Sequence, residues 1–265
     1  MPTVQLRDIV TYYEEHGSGD PLVLIMGLGG DLQGWARQVP ALAKHFRVIT
    51  FDNRGAGRTG APDKPYSIAG MAEDTAALMD HLGIERAHVL GFSMGGMIAQ
   101  ELALTEPGRV SRLILVSTAA CAEGYTRRLV QSWMDVRRSN LSREQVLRLT
   151  SVFLYSAALL NDDSRYEQAI AASLANPYEQ RDHAFLRQAQ AALAFDATDR
   201  LKNLRNPVLV TAAVEDILVP PRNSKRLAEI LPNAEYRELP GGHAGAIEFA
   251  DEYNAAFLEF LGVKK

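Results

Sequence analysis

Apolar residues along the first half of the chain form short continuous runs that alternate with helically spaced runs. The continuous runs predict four buried strands, at 21–26, 46–51, 87–92 and 110–117. Two shorter segments before them predict an antiparallel hairpin, over 4–6 and 9–13. Helices are predicted at 68–82, which is followed by Gly83, and at 94–104, which is followed by Pro107. This half of the chain therefore alternates strands and helices.

The pattern changes between residues 122 and 200, where the sequence carries only helical signals. Alternation then resumes, with strands predicted at 207–211 and 235–239 and helices at 224–231 and 247–261. We predict an α/β fold with a mostly parallel eight-stranded sheet and helices on both faces. Its core would be 1–121 and 201–265, with 122–200 inserted as a helical cap. Both ends of the insertion leave the carboxyl edge of the sheet, where ligands bind in such folds. The alternative is a helical elaboration away from any site.

Composition limits the kinds of partner that this chain can bind. Its 265 residues are enough for one large α/β domain with a sizeable core. The formal net charge of -4 argues against nucleic acids and anionic membranes as partners. Cys121 is the single cysteine, which excludes an intrachain disulfide, and the sequence shows no signal-peptide pattern. We expect a cytoplasmic protein with a small-molecule substrate, and a homo-oligomer is left open.

The candidate nucleophile lies where the strand 87–92 meets the helix 94–104. The sequence there is Gly91-x-Ser93-x-Gly95, a pattern that in this context predicts a sharp turn exposing a nucleophilic serine. Small residues are needed two positions before and after Ser93, because larger side chains would collide with the neighbouring strand and helix. The start of the helix also offers free N–H groups and a positive dipole end to a developing oxyanion.

A serine hydroxyl needs a base, and the base needs an acid to orient it. Of the six histidines, His243 lies on a glycine-lined turn after the last strand, at the same sheet edge as Ser93. His88 begins the strand that ends at Ser93, so we interpret it as structural. Asp216 follows the strand before last and is the candidate acid, with the adjacent Glu215 as its competitor.

Backbone donors and aromatic side chains complete the predicted site. The glycine-rich turn after the strand 21–26 makes Leu28 N–H and Met94 N–H the candidate oxyanion donors. Candidate substrate-contacting residues are aromatic, namely Trp35, Trp133, Phe153, Tyr155 and Phe195. Each of them is equally well interpreted as a core residue, because aromatic side chains at helical spacing usually pack inward.

These motifs resemble the α/β-hydrolase fold superfamily over essentially the full chain. The resemblance rests on four segments: Met26-Gly27-Leu28-Gly29-Gly30, Gly91-Phe92-Ser93-Met94-Gly95-Gly96, Gly242-His243, and 51–59, which is similar to a D-x-R-G-x-G-x-S loop of that family. The most similar group contains 3-oxoadipate enol-lactonases, small carboxylesterases and cofactor-free haloperoxidases. Many members carry His-Gly where this chain has Met26-Gly27. The resemblance implies a Ser-His-Asp triad in the order Ser93, Asp216, His243, with neither a cofactor nor a metal.

The leading functional hypothesis is hydrolysis of a small carboxylic ester or lactone by a serine esterase mechanism. One alternative is C–C bond hydrolysis of a dicarbonyl substrate on the same triad. Another is a ligand-binding protein of the same fold with little turnover. Relatives of this fold that use an aspartate nucleophile, such as haloalkane dehalogenases, are excluded because Ser93 occupies that position.

Overall fold

A computed structural model describes residues 2–263 and centres on a single eight-stranded sheet. The strands are β1 Thr3–Leu6, β2 Ile9–His16, β3 Pro21–Ile25, β4 Arg47–Phe51, β5 Ala87–Phe92, β6 Val110–Val116, β7 Val208–Ala213 and β8 Ala234–Leu239. The helices are α1 Val39–Leu42, α2 Ile68–His81, α3 Met94–Thr105, α4 Gly124–Arg138, α5 Arg143–Ser151, α6 Ala157–Leu160, α7 Asp163–Ala175, α8 Asp182–Ala194, α9 Pro221–Ile230, α10 Gly245–Glu248 and α11 Ala250–Leu261. Short 3₁₀ helices cover Leu32–Trp35, Pro107–Arg109 and Leu201–Asn203.

The strand order is β1-β2-β4-β3-β5-β6-β7-β8. The first two strands pair antiparallel, and β2 pairs antiparallel with β4. All pairings from β4 to β8 are parallel, which confirms the predicted mostly parallel sheet and its hairpin. The order reverses at β3, because β4 lies on one side of it and β5 on the other. Ligands in open α/β sheets bind at such a reversal, outside the carboxyl ends of the strands.

Alternate side chains of the central strands enter two hydrophobic cores, one on each face of the sheet. Val23 and Ile25 of β3 pack with residues of α2 and α3. Leu22 and Leu24 pack on the opposite face, with residues of α1 and α11. Since both faces are covered, the central strands are apolar throughout, which is why they appear as continuous runs in the sequence.

Helices α4 to α8 lie within the segment 122–200 that was predicted to form a cap. The two ends of this segment meet at an antiparallel bridge between Cys121 and Asp196, and Ala197 N–H donates to Ala120 O at 2.9 Å. The apolar faces of α4 and α8 join a third hydrophobic cluster at the carboxyl edge of the sheet, made of Ala119, Val130, Met134, Phe185, Ala189, Leu218 and Val219. The helical segment therefore packs over the sheet edge that carries the predicted site.

Two helix predictions need correction. The single helix expected at 247–261 is divided into α10 and α11 at Phe249, whose backbone leaves helical geometry at φ -121 and ψ 50. Neither proline nor glycine marks this break, so apolar spacing runs through it. The helix expected from 224 begins earlier, at Pro221, a favourable first helical residue. In the part of the chain described, 2–263, no helix has the length and apolarity that a membrane crossing requires.

Candidate active site

Ser93 occupies the turn between β5 and α3 in an unusual backbone conformation, with φ 54 and ψ -119. Positive φ is costly for a residue with a side chain and persists only where the surroundings enforce it. Here Ser93 N–H donates to Val116 O at 2.9 Å. The Thr118 hydroxyl donates to Ser93 O at 2.8 Å, as do the N–H groups of the first turn of α3 at slightly longer range. The turn is thereby fixed to the end of β6.

Glycines on both sides of Ser93 permit this turn. A Cβ added at Gly91 would lie 2.3 Å from Gly95 O, inside α3. A Cβ added at Gly95 would lie 2.0 Å from Ile25 O, at the end of β3. At Gly27, in the predicted oxyanion loop, it would approach Ser93 Cβ to 3.0 Å. The strand, the helix and the loop thus meet around the serine too closely for any larger residue.

A chain of hydrogen bonds joins Ser93, His243 and Asp216. His243 Nε2 lies 3.0 Å from Ser93 Oγ, and His243 Nδ1 lies 2.7 Å from Asp216 Oδ2. The second carboxylate oxygen, Oδ1, accepts from Leu218 N–H at 2.9 Å and from Val219 N–H at 2.7 Å. Both Asp216 and His243 are buried. The carboxylate is therefore fixed by backbone donors, with one oxygen directed at the imidazole.

The competing residues lie elsewhere. Glu215 is exposed, and its carboxylate accepts from Ala157 N–H at 2.9 Å, so it caps the start of α6 and does not contact His243. His88 lies at the opposite end of β5 with its ring edge against Phe46, at 5.8 Å between ring centres. Burial lowers the pKa of His88. Of the candidate bases His88 and His243, it is His243 that lies within hydrogen-bonding distance of Ser93 Oγ.

Two backbone N–H groups next to Ser93 are free to bind an oxyanion. Among residues 2–263, Leu28 N–H and Met94 N–H have no hydrogen-bond acceptor. Met94 begins α3, so its N–H has no partner within the helix. The next donor in the loop is occupied, since Gly29 N–H donates to Gln188 Oε1 at 3.2 Å. Leu28 and Met94 line the same cavity as Ser93 and can donate to a developing oxyanion there.

A cavity of about 770 Å³ opens above Ser93, between the sheet edge and helices α4 to α8. Its walls are largely apolar, with contributions from Met97, Val130, Trp133, Leu147, Leu154, Tyr155, Phe185, Leu218 and Ile247. Across the described residues, 2–263, no cluster of three or more His, Cys, Asp or Glu side chains is placed to hold a metal ion. The cavity therefore brings the Ser93 hydroxyl, the His243 imidazole and free N–H donors together, and its wall also includes Arg137, Arg143 and Arg165.

Comparison with known proteins gives the family. A model of the alpha/beta hydrolase fold matches residues 20–250. The chain belongs to the alpha/beta hydrolase fold family. RutD of Azorhizobium caulinodans, whose name proposes carbamate hydrolysis, is 36% identical over 266 residues, which cover 99% of this chain and 98% of RutD.

Two solved structures also resemble this alpha/beta hydrolase closely. The enol-lactonase from Burkholderia xenovorans LB400 has a TM-score of 0.90 at 28% identity, covering 98% of this chain and 99% of its own. BpoC from Mycobacterium tuberculosis H37Rv, provisionally named a non-heme bromoperoxidase, has a TM-score of 0.88 at 30% identity, covering 98% of each chain. The resemblance stated from the sequence is confirmed, and these relatives identify the protein as a hydrolase.

In this alpha/beta hydrolase, some of the aromatic residues predicted to contact substrate line the cavity and others lie outside it. Trp133 and Tyr155 line the cavity. Trp35 is buried in the core on the α11 face of the sheet, because the 3₁₀ helix that carries it turns its apolar side inward. Phe195 belongs to the core on the other face, and Phe153 is half-buried in the turn after α5, outside the cavity wall. These three positions are corrections to the predicted contact set.

A buried carboxylate within the 51–59 motif, to which the sequence assigned no role, supports the loop predicted to bind the oxyanion. Asp52 is fully buried at the end of β4; its Oδ1 accepts from Leu32 N–H and its Oδ2 from Arg58 N–H, both at 2.8 Å. Burial raises the pKa of Asp52, and these two backbone donors oppose that effect. The adjacent Asn53 donates to Met26 O at 2.7 Å. In this alpha/beta hydrolase the 51–59 motif thus holds the loop that carries Leu28.

Proposed function

We propose that this alpha/beta hydrolase is a serine esterase or lactonase that cleaves small carboxylic esters or lactones through an acyl-enzyme on Ser93. The observation that carries the proposal is the continuous hydrogen-bond chain from Asp216 through His243 to Ser93 Oγ, beneath an apolar cavity. A hydroxyl becomes a useful nucleophile only with a base in contact, and here one is at 3.0 Å.

In the first half of the reaction, Ser93 Oγ attacks the substrate carbonyl carbon while its proton passes to His243 Nε2. Asp216 accepts a hydrogen bond from His243 Nδ1–H, which leaves Nε2 free to take the serine proton, and it stabilises the imidazolium that forms. The carbonyl oxygen gains negative charge, which the N–H groups of Leu28 and Met94 stabilise. When the tetrahedral intermediate collapses, the leaving alkoxide takes the proton from His243 Nε2.

In the second half, His243 Nε2 removes a proton from water, and the resulting hydroxide attacks the acyl carbon. The same N–H donors stabilise the second oxyanion, and Ser93 Oγ leaves with the proton from His243. For a lactone the leaving alkoxide stays attached to the acyl chain, so the product is one hydroxy acid. The cavity volume of about 770 Å³ lies within the range typical of small-molecule sites.

A second candidate substrate class is a carbamate. It is favoured by the name of RutD, the relative that matches 99% of this chain at 36% identity. A carbamate offers the same carbonyl to Ser93, but its nitrogen must receive the proton of His243 before an amine can leave. The same residues therefore serve both chemistries, and substrate assays must separate them.

The test is turnover of a matched panel by the wild-type protein and by Ser93→Ala. The panel contains a nitrophenyl butyrate, a γ-lactone, an alkyl carbamate and a vinylogous diketone. We expect ester or lactone turnover that Ser93→Ala lowers by at least about 10³-fold. Ser132→Ala, at an exposed serine on α4, should behave as the wild type.

Three results would decide against the proposal. Turnover of the diketone alone would favour C–C hydrolysis, and turnover of the carbamate alone would favour the second candidate. Absence of any turnover, with tight binding of one of these compounds, would support a ligand-binding protein instead.

A further inference from the structure

The turn that carries His243 is pressed against the backbone between α5 and α6. After the histidine, Ala244 N–H donates to Leu154 O at 2.8 Å. Before it, a Cβ added at Gly242 would lie 2.6 Å from Tyr155 C and 2.8 Å from Ser156 N. Both neighbours of His243 therefore touch the segment 154–156, and the close approach explains the glycine at 242.

Glu248, in the last turn of α10, joins the same two segments through its carboxylate. Its Oε1 accepts from Gly242 N–H at 3.3 Å. Ser156 N–H donates to both carboxylate oxygens, at 3.1 Å and 3.2 Å, and Ser156 Oγ donates to Oε2 at 2.6 Å. Ser156 is also the N-cap of α6, since its Oγ accepts from Leu159 N–H. One half-buried side chain thus connects the residue before His243 to the first turn of α6.

We propose that Glu248 is a positioning residue that holds the imidazole of His243 within reach of Ser93 by clamping its turn to the segment 154–156. The inference rests on the proposed role of His243 as the base. Gly241 and Gly242 precede the histidine, and Gly241 has φ 106, so this turn has little rigidity of its own. Its rigidity comes from contacts outside the turn. Before the histidine, Glu215 N–H donates to Gly241 O at 3.0 Å, and Glu248 accepts from Gly242 N–H, the residue directly preceding His243.

This role makes the segment 154–156 part of the support of His243. A displacement of the segment would move the imidazole, because Ala244 and Gly242 would both follow it. Small displacements matter, since a misplacement of about 1 Å can lower a rate about a hundredfold. Because Leu154, Tyr155 and Glu248 also line the cavity, loss of the clamp should slow the chemical step more than it weakens substrate binding.

Two substitutions separate positioning from charge. In Glu248→Gln, the amide oxygen can still accept from Gly242 N–H and Ser156 N–H, and the Ser156 hydroxyl can turn to accept from the amide. Glu248→Ala removes all of these contacts. Positioning predicts that glutamine rescues most of the loss, whereas a need for negative charge predicts that both variants are equally slow. Asp162→Ala is the matched control, because it removes the N-cap carboxylate of α7 without touching the His243 turn.

The experiment measures kcat and KM for a nitrophenyl ester and the rate at which a fluorophosphonate labels Ser93. For Glu248→Ala we expect kcat and the labelling rate to fall together, by about tenfold to a hundredfold. The fall in kcat should exceed any rise in KM, and Glu248→Gln should stay within about threefold of wild type. An unchanged labelling rate in Glu248→Ala, a change confined to KM, or a Glu248→Gln variant as slow as Glu248→Ala would overturn the proposal.

Amide hydrogen exchange tests the clamp independently of activity. The segment 241–245 should exchange faster in Glu248→Ala than in wild type or Asp162→Ala, and unchanged exchange there would overturn the proposal. If wild type is not labelled at Ser93, the proposed function fails, while the exchange measurement still decides whether the clamp exists. If Glu248→Ala does not fold, Ser156→Ala, which removes the shortest of these hydrogen bonds, provides the same readouts.

Discussion

Replacement of Gly95 by alanine is the sharpest test of how Ser93 is packed. The added Cβ would lie 2.0 Å from Ile25 O, 2.6 Å from Ile25 C and 2.7 Å from Met26 O. Ordinary contacts between carbon and oxygen are about 3.3 Å or longer, so the groups must separate by more than about 1 Å. All three atoms belong to the backbone that leads from β3 into the oxyanion loop, so no side-chain rotation relieves the contact.

Two opposing terms set the expected magnitude. Alanine is favoured over glycine inside a helix by about 1 kcal/mol, which alone would stabilise α3. Overpacking of a filled site costs about 1–3 kcal/mol and sometimes more. Because the contact here is with backbone, we take the upper end of that range, which leaves a net loss of about 2 kcal/mol. The oxyanion loop should also shift, so labelling of Ser93 should slow.

Urea unfolding at 25 °C, followed by circular dichroism, measures this loss. Gly124→Ala is the matched control, since a Cβ at this first residue of α4 meets nothing within 4 Å. It should leave the free energy of unfolding unchanged or raise it by less than about 1 kcal/mol. A Gly95→Ala variant within about 0.5 kcal/mol of wild type would refute the packing argument.

Substitutions of Asp216, His88 and Gln188 provide three further tests. Asp216→Asn should lower kcat/KM for an ester by about 10³- to 10⁴-fold, because the amide favours the wrong tautomer of His243; a loss below tenfold would contradict this role. Because burial lowers the pKa of His88 from its usual 6.5, the unfolded chain gains a proton there that the folded protein does not. The free energy of unfolding, measured in urea, should therefore fall more steeply in wild type than in His88→Leu as the pH drops below about 6.5. Parallel pH dependences of the two proteins would contradict this prediction. Gln188→Leu should lower the free energy of unfolding by about 1–3 kcal/mol, because Gly29 N–H and Arg54 O lose buried partners. Equal urea midpoints for Gln188→Leu and wild type would rule out that contribution.

The sheet and the positions of the candidate triad were accessible from the sequence for a physical reason. Strands buried on both faces appear as unbroken apolar runs, and parallel strands bring their carboxyl ends to one edge. Ser93 and Asp216 follow such strands, and His243 follows the parallel edge strand β8, so their proximity could be expected without coordinates.

Features that depend on long-range partners could not be read in the same way. Asp52 accepts from an N–H group 20 residues away, and Glu248 from one 92 residues away. Such pairs leave no local pattern, because the partners are backbone groups that any residue carries. The orientation of Trp35 could not be predicted either, because an aromatic side chain near the site can face the cavity or the core. The orientation of its 3₁₀ helix places Trp35 in the core.

Covalent trapping is the direct test of whether Ser93 is the nucleophile. The wild-type protein is treated with a fluorophosphonate, digested, and its peptides are mapped by mass spectrometry. We expect one adduct, on Ser93, with none in Ser93→Ala and slow formation in His243→Ala. Ester hydrolysis that persists without an adduct on Ser93, or with the adduct on another residue, would contradict it.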